Sequence, residues 1–364
     1  MRIIIEFIGR NSTLFLIIGM LLTGSLNTIL TKLQDSVCVD KCDTDTPIYF
    51  EQPMIQTLNM FLGEIVCLLW LLMYRNDTGY VSIDTHDTHD THDISDNHDN
   101  YDTRLLPLLP PLPPPQSVSV SSRYTSSLLF FFPAVCDSMS STLMNLGLMF
   151  TSASIFQMLR GSMVIFTGII STIFLQTKYN INQWLSLIVI CLGVTVVGSS
   201  NLDNSTNNTM IGLLLIVSAQ IFSAAQYVIE EKLLLKYNVE PLLAVGLEGV
   251  FGLIIMTIIS IIFQLTYYID TLKGLQQLIS FPMLYGPSIG IILSISLFNW
   301  CGLCITKNIS STSRATIDIC RTLIIWCVSL SLQWETFKWL QVIGFFTMIC
   351  GIVVFNKKEF TASH

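Results

Sequence analysis

Charged residues are scarce in this chain of 364 residues, and that scarcity excludes several classes of protein. Only 12% of its residues are charged, whereas soluble domains carry about 25%. Hydrophobic residues make up 51% of the sequence, and the mean hydropathy is +0.62. This composition excludes an ordinary soluble globule, a disordered chain, a nucleic-acid-binding protein and a collagen-like fibre. It favours one polytopic membrane domain.

The sequence also lacks the signatures of common enzymes. It contains no phosphate-binding loop, no His-Glu-x-x-His motif and no nucleophile elbow. We therefore expect no enzymatic activity, no use of ATP, no cofactor and no resident metal. Alternating segments of about ten residues, which would indicate a membrane β-barrel, are absent as well.

Long apolar runs dominate what is present. A helix needs about 20 mainly apolar residues to cross the hydrocarbon core, and such runs are helical because lipid offers no partner for backbone polar groups. The sequence predicts an all-α polytopic membrane protein with ten spans, at about 12–33, 53–74, 127–149, 152–175, 181–200, 210–229, 242–265, 287–306, 310–332 and 336–355.

The net charge of −7 is concentrated in one segment. Residues 75–126 hold eight Asp, no Glu and three Arg, a net charge of −5. The segment repeats Thr-His-Asp three times and then carries a proline tract, a composition that predicts a disordered cytosolic insertion. Two alternatives remain open, because His86, His89, His92 and His98 could hold a metal ion and the proline tract could recruit a partner domain.

Lys and Arg residues predict the orientation of the chain. With the amino terminus in the cytosol, eleven of these residues between or beyond the spans lie on the cytosolic side and four on the opposite side. Both termini are then cytosolic, including the tail 357–364. Cys38 and Cys42 lie in the first lumenal loop, where an oxidising environment would permit a disulfide between them.

Ten spans divide into two halves of five, 1–200 and 201–356. An odd number of spans in each half gives the halves opposite orientations, as in transporters built from inverted repeats. Weak sequence similarities between the halves support this division. Glu64 of the second span corresponds to Glu248 of the seventh, and Arg160 of the fourth corresponds to Arg321 of the ninth.

Several motifs resemble those of the drug/metabolite transporter superfamily. They are Phe50-Glu-Gln-Pro53, Met60-Phe-Leu-Gly-Glu64, Pro133-Ala-Val-Cys-Asp137, Thr151-Ser-Ala-Ser-Ile-Phe-Gln-Met-Leu-Arg-Gly161, Glu230-Glu-Lys232, Ala244-Val-Gly-Leu-Glu-Gly249 and the pair Asp318 and Arg321-Thr322. The chain resembles solute carrier family 35, subfamily F, member 6-like proteins over residues 12–356, apart from the insertion. It resembles chloroquine-resistance-transporter-like proteins more distantly.

The resemblance implies an EamA-like fold of ten helices, with a central cavity and alternating access. Members of the superfamily move nucleotide-sugars, phosphorylated sugars, amino acids and drugs. We therefore expect a secondary transporter of a small anionic or zwitterionic metabolite, in an internal membrane such as that of the lysosome, vacuole or Golgi. The expected partners are this small molecule and the lipid bilayer, with no nucleic acid. Gly193 and Gly351 in the fifth and tenth spans suggest a homodimer.

Polar residues inside the spans are the candidates for the substrate pathway. A charge at mid-bilayer costs at least about 2.5–3.5 kcal/mol, so it should face a cavity or a partner. The candidates are Asn27, Asp137, Gln157, Arg160, Gln226, Glu248, Asn299, Asp318 and Arg321.

These candidates have two interpretations. In the functional one, Arg160 and Arg321 bind a carboxylate or phosphate, and Glu248 or Asp137 couples transport to protons or gates it. In the structural one, the same residues form ion pairs between helices, with Asp318 paired to Arg321 three residues away. Arg314, near the start of its span, is expected to extend to the cytosol. Rival functions are transport of a divalent metal ion and a membrane scaffold without transport.

Overall fold

The computed structural model describes residues 12–42, 47–50, 52–77, 127–150, 159–199, 209–265, 271–333 and 337–362. Eleven α-helices of ten or more residues occur in these ranges. They are α1 Ser12–Asp35, α2 Pro53–Asp77, α3 Phe131–Phe150, α4 Met163–Phe174, α5 Ile181–Ser199, α6 Thr209–Tyr237, α7 Pro241–Leu265, α8 Thr271–Ser280, α9 Tyr285–Asn308, α10 Ser311–Ser331 and α11 Trp339–Ala362. A 3-10 turn, Pro282–Leu284, precedes α9.

The fold is that of a helical, polytopic membrane protein. Each of the ten apolar runs contains a helix, although the fourth run is described only from residue 159 onward. Among the described residues, six helices are long and apolar enough to cross a membrane, namely α1, α2, α3, α6, α7 and α9. The apolar parts of α4, α5 and α11 are shorter, and α10 carries Arg314, Asp318 and Arg321 within 21 residues.

Four pairs of helices make the most extensive contacts, and each pair joins the first half of the chain to the second. They are α5 with α11, α3 with α6, α1 with α9, and α2 with α7. Glycine allows two of these close approaches, because a Cβ atom on Gly193 would lie 2.7 Å from the carbonyl oxygen of Gly344, and one on Gly249 would lie 2.6 Å from Cβ of Glu64. Small residues at helix contacts are typical of membrane bundles.

The distribution of polarity is that of a protein solvated by lipid. Large apolar side chains face outward along the helices; Leu69 and Trp70 of α2 and Ile258 and Ile261 of α7, for example, are all more than half exposed. Buried positions instead include charged groups such as Glu230 and Arg314. Because lipid tails solvate apolar surface as well as a protein core does, the polar groups collect inside the bundle.

A small assembly of two strands and a short helix lies at the end of the bundle where α1 ends and α2 begins. β1, Cys38–Asp40, pairs antiparallel with β2, Ile48–Tyr49. Cys38 and Cys42 form the disulfide that the sequence allowed. The amphipathic helix α8 packs on this region, where Gln277 and Gln52 form a side-chain hydrogen bond.

Candidate functional site

A cavity of about 550 Å³ lies among the helices, within the size range of ligand sites. Residues of α1 to α3, α6 and α9 to α11 line it, together with Met163 of α4 and Arg160 just before α4. The lining begins at the end of the bundle where α1 ends, with Lys32, Asp35 and Gln56, and reaches Arg314 in the interior.

Seven of the nine predicted pathway residues line this cavity: Asn27, Asp137, Arg160, Gln226, Asn299, Asp318 and Arg321. Gln157 lies outside the described residues. Glu248 is not among the lining residues; its neighbour Gly249 packs against Glu64, where α7 meets α2. The position of Glu248 therefore does not support a gating or proton-coupling role, and that role stays a prediction.

Two arginines share one carboxylate at the α4 and α10 side of the cavity. Nε of Arg321 lies 3.1 Å from Oδ1 of Asp318, in the pair three residues apart that the sequence suggested. A terminal guanidinium nitrogen of Arg160 lies 3.7 Å from Oδ2 of the same carboxylate. The Arg160 side chain is 27% exposed, whereas that of Asp318 is 9% exposed. The guanidinium of Arg321 also lies 5.0 Å from the ring centre of Phe298.

Arg314 forms the inner end of the cavity, and the expectation that it extends to the cytosol is wrong. Its side chain is 2% exposed, and its guanidinium lies 2.5 Å from Oε2 of Glu230 on α6. The Tyr227 ring stacks against the same guanidinium, with 3.8 Å from its carbon to the ring centre. Arg314 lies near the start of its span, which suggested that it would reach solvent. Inside the bundle it is held instead by a carboxylate and an aromatic face.

Sequence reasoning gave Glu230 no role, although it appears in the Glu230-Glu-Lys232 motif. The available signal was the position of this acidic pair within the otherwise apolar helix α6. An unpaired charge there would be costly, so a cationic partner was required. The sequence could not identify that partner, because Arg314 lies 84 residues further along the chain.

Polar contacts between α6, α10 and neighbouring segments lie beyond Arg314. The backbone N–H of Ser311 donates to Oε2 of Glu231 at 2.7 Å, and the hydroxyls of Tyr179 and Thr312 lie 2.9 Å apart. Ser311, Thr312 and Ser313 are fully buried. The bundle is therefore packed at the end where α10 begins, whereas the cavity extends toward the other end.

A second polar wall comes from α3 and α6. Asp137 is half-buried, with the hydroxyl of Ser141 3.4 Å from its Oδ1 and a hydrogen bond to the side chain of Gln226. Ser140 bonds to Ser223 and donates to the carbonyl of Ala219. Gln220 lines the cavity as well, and both polar atoms of its amide are buried without a hydrogen-bond partner in the described structure.

The α2 and α9 side of the cavity carries one more carboxyl contact. Nδ2 of Asn299 donates to Oε1 of Glu64 at 2.6 Å. Glu64 is 2% exposed, and its Oε2 has no hydrogen-bond partner among the described residues. Glu64 also contacts Gly249 of α7, so it lies at a helix contact, while Asn299 links it to the cavity.

The described residues contain no group of three metal-binding side chains. The four histidines of the metal alternative lie between residues 78 and 126, outside the described ranges. That alternative therefore stays a prediction about the insertion.

Comparisons with known proteins agree with one another. The model of the Triose-phosphate Transporter family matches residues 112–356. Solute carrier family 35 member F6 of Homo sapiens is 35% identical over 94% of this chain and 88% of its own length. An uncharacterized protein of Schizosaccharomyces pombe is 33% identical over 93% of this chain and 95% of its own. One crystal structure superposes with a TM-score of 0.60 at 8% identity, covering 96% of this chain and 99% of that one, and supports the fold alone.

Proposed function

The chain belongs to the Triose-phosphate Transporter family and, within it, to the relatives of solute carrier family 35 member F6, and we propose that it carries a small anionic or zwitterionic metabolite by alternating access. Membership makes it a multi-pass integral membrane protein and a transmembrane solute transporter. The cargo class and the mechanism are the proposed part. The cavity supports both proposals.

The observation that carries the proposal is the imbalance of charge around Asp318. One carboxylate faces two guanidinium groups, at 3.1 Å and 3.7 Å, so one positive charge is left over at the cavity wall. A guanidinium can bind a carboxylate or phosphate through two parallel hydrogen bonds. Arg160 is the more exposed of the two arginines and the more distant from Asp318, so it is the anchor that a cargo anion can reach.

The pattern of helix contacts supports a fold of ten spans in two inverted repeats. When α8 is set aside, each helix of the first half can be exchanged with the helix five places later. The α3–α6 contact then becomes the α9–α1 contact, and α4–α6 becomes α10–α1. The α2–α7 and α5–α11 contacts map onto themselves. This is the behaviour expected of two repeats, 1–200 and 201–356, around a pseudo-two-fold axis.

The unequal ends of the cavity support alternating access. If both termini are cytosolic, the cavity extends toward the lumenal side and is closed on the cytosolic side by the contacts around Arg314 and Ser311. The structure then corresponds to a lumen-facing state. The disulfide between Cys38 and Cys42 lies at the same end, and it fits the oxidising lumen of an internal membrane such as that of the Golgi, lysosome or vacuole.

Replacing Arg160 tests the anchor. In proteoliposomes given a panel of labelled metabolites, with and without a pH gradient, Arg160→Ala should reduce uptake of the cargo by about 10- to 100-fold, the range for one charge-assisted hydrogen bond. Folding should survive, because Asp318 retains Arg321. Asp40→Asn, in the exposed hairpin, is the control. Undiminished uptake by Arg160→Ala would exclude the anchor.

A further inference from the structure

The α3 and α6 wall of the cavity carries a carboxylate that the arginine anchor does not use. We propose that Asp137 binds a protonated amine, so that the cargo is a zwitterion with an ammonium group at one end and a carboxylate or phosphate at the other. This inference rests on the proposed transport function and specifies its substrate class.

Asp137 has only neutral hydrogen-bond partners. They are the hydroxyl of Ser141 and the amide of Gln226, and no ion pair to Asp137 occurs within the ranges that the structure describes. The cations nearby are already committed, since Arg314 pairs with Glu230 while Arg160 and Arg321 face Asp318. A carboxylate within a membrane bundle needs a compensating cation or a proton. Because Asp137 is half-buried and lines the cavity, the cargo can provide the cation.

The surroundings of Asp137 suit the other hydrogens of an ammonium group. An ammonium carries three N–H donors and no acceptor. Ser223 lies on the same wall, bonded to Ser140, which is three residues from Asp137 on α3. Its hydroxyl oxygen can accept a second hydrogen of the ammonium group. Asp137 and Ser223 together provide acceptors for an amine.

The two charged sites lie near the same arginine. Arg314 interacts electrostatically with both Asp137 and Asp318. Asp137 is the seventh residue of α3 and Asp318 the eighth of α10, which places them about 9–11 Å along their helices at 1.5 Å per residue. A cargo beside Arg314 can therefore direct its amine toward Asp137 and its anionic group toward Arg160.

A cargo without an amine would be recognised poorly by this arrangement. Its anionic group would be attracted to Arg160 but would leave the Asp137 carboxylate without a cation. Asp137 would then have to take up a proton, which would make it a proton carrier rather than an amine subsite. These two roles predict different dependence on cargo chemistry, so one experiment separates them.

The experiment uses the full chain in proteoliposomes and three matched sets of labelled compounds. The first set consists of α-amino acids, the second of the same carbon skeletons without the amino group, and the third of the same skeletons without the carboxylate. Phosphorylated alcohols with and without an amine extend the first two sets. We expect uptake of the amine-bearing zwitterions to exceed that of their amine-free partners by about 10- to 100-fold.

Asp137→Asn should remove this preference. Uptake of zwitterions should fall to the level of the amine-free anions, whose own uptake should not fall because no carboxylate is then left without a cation. Asp40→Asn should keep the preference of the natural protein. Ser223→Ala is the second variant if Asp137→Asn does not fold, because it removes the hydroxyl acceptor with little change in volume. It should lower uptake of amine-bearing cargo selectively.

Each other outcome is informative. If amine-free anions cross as fast as zwitterions, the amine subsite is excluded and the anion transporter remains. If Asp137→Asn removes the effect of a pH gradient on all cargoes equally, Asp137 carries a proton and the subsite is likewise excluded. If no compound in any set crosses the membrane with the natural protein, both the subsite and the proposed cargo class are overturned.

Discussion

At the scale of a single residue, Arg314 shows how a charge buried in this membrane protein is compensated. It is among the largest fully buried side chains of the described structure. Its charge is met by Glu230 at 2.5 Å and by the face of Tyr227. A buried ion pair contributes little net stability compared with apolar packing, but losing one partner leaves an uncompensated charge. The pair also joins α6 to α10 at the inner end of the cavity.

Single and double replacements at this pair should therefore behave differently. Arg314→Ala should destabilise the protein by about 3–5 kcal/mol, because Glu230 would remain buried and unpaired. The double variant Glu230→Gln with Arg314→Met should recover most of that loss, because neither buried charge remains. Thermal unfolding of the purified protein, followed by intrinsic fluorescence, would measure both changes. Equal unfolding temperatures for Arg314→Ala and the natural protein would show that the pair does not stabilise the fold.

The contact between α5 and α11 is the clearest example at the scale of elements. A Cβ atom on Gly193 would lie 2.7 Å from both the carbonyl oxygen of Gly344 and the backbone nitrogen of Met348. One on Gly351 would lie 3.1 Å from the carbonyl oxygen of Ser186. Both glycines that suggested a homodimer are therefore occupied by a contact within one chain. A homodimer stays a prediction, and its interface would have to use other surfaces.

Two glycine-to-alanine changes should have different consequences for stability. Gly193→Ala should destabilise by about 1–3 kcal/mol, because backbone atoms of α11 cannot move aside without separating the helices. Gly286→Ala is the matched control, since no atom beyond its chain neighbours and its own helix backbone lies within 4 Å of its Cβ position. The greater helix propensity of alanine offsets the crowding of its Cβ by the ring of Pro287, so this change should be close to neutral. Equal losses of thermal stability in the two variants would contradict the close contact of α5 and α11.

At the scale of the whole molecule, the net negative charge of the chain does not indicate the charge of the cargo. Of the net charge of −7, residues 75–126 contribute −5. None of the described cavity residues belongs to that segment. The cavity instead combines a few charges from distant helices, and its two walls differ in sign. The proposed transport therefore depends on the bundle and not on the insertion.

Deleting residues 80–116 separates the transporter from its two rivals. Uptake of the cargo should persist in proteoliposomes containing the shortened chain, because the cavity retains all its described lining residues. A metal-ion transporter that uses the histidines would lose metal uptake, and a scaffold that uses the proline tract would lose its partner in a binding assay. Loss of metabolite uptake, with the shortened chain folded and inserted, would contradict the placement of the site in the bundle.

Much of this protein was determined by the sequence alone. Apolar runs of membrane length must form helices in lipid, and every predicted run contains one. The motifs indicated the transporter family, and the cost of polar and charged groups in the membrane marked seven residues that do line the cavity. The Asp318 and Arg321 pair could also be foreseen, because residues three apart share a helix face.

Only the tertiary structure decided which charges meet across helices. Helical periodicity relates neighbours along one helix, but it cannot pair Arg314 with Glu230, which is 84 residues away. It could not show that Arg160 approaches Asp318 or that Glu248 lies outside the cavity wall. Both placements depend on how each helix is rotated against its neighbours. Packing contacts such as that between Gly249 and Glu64 determine this rotation. The site is therefore a property of the assembled bundle, because its charges come from helices far apart in the chain.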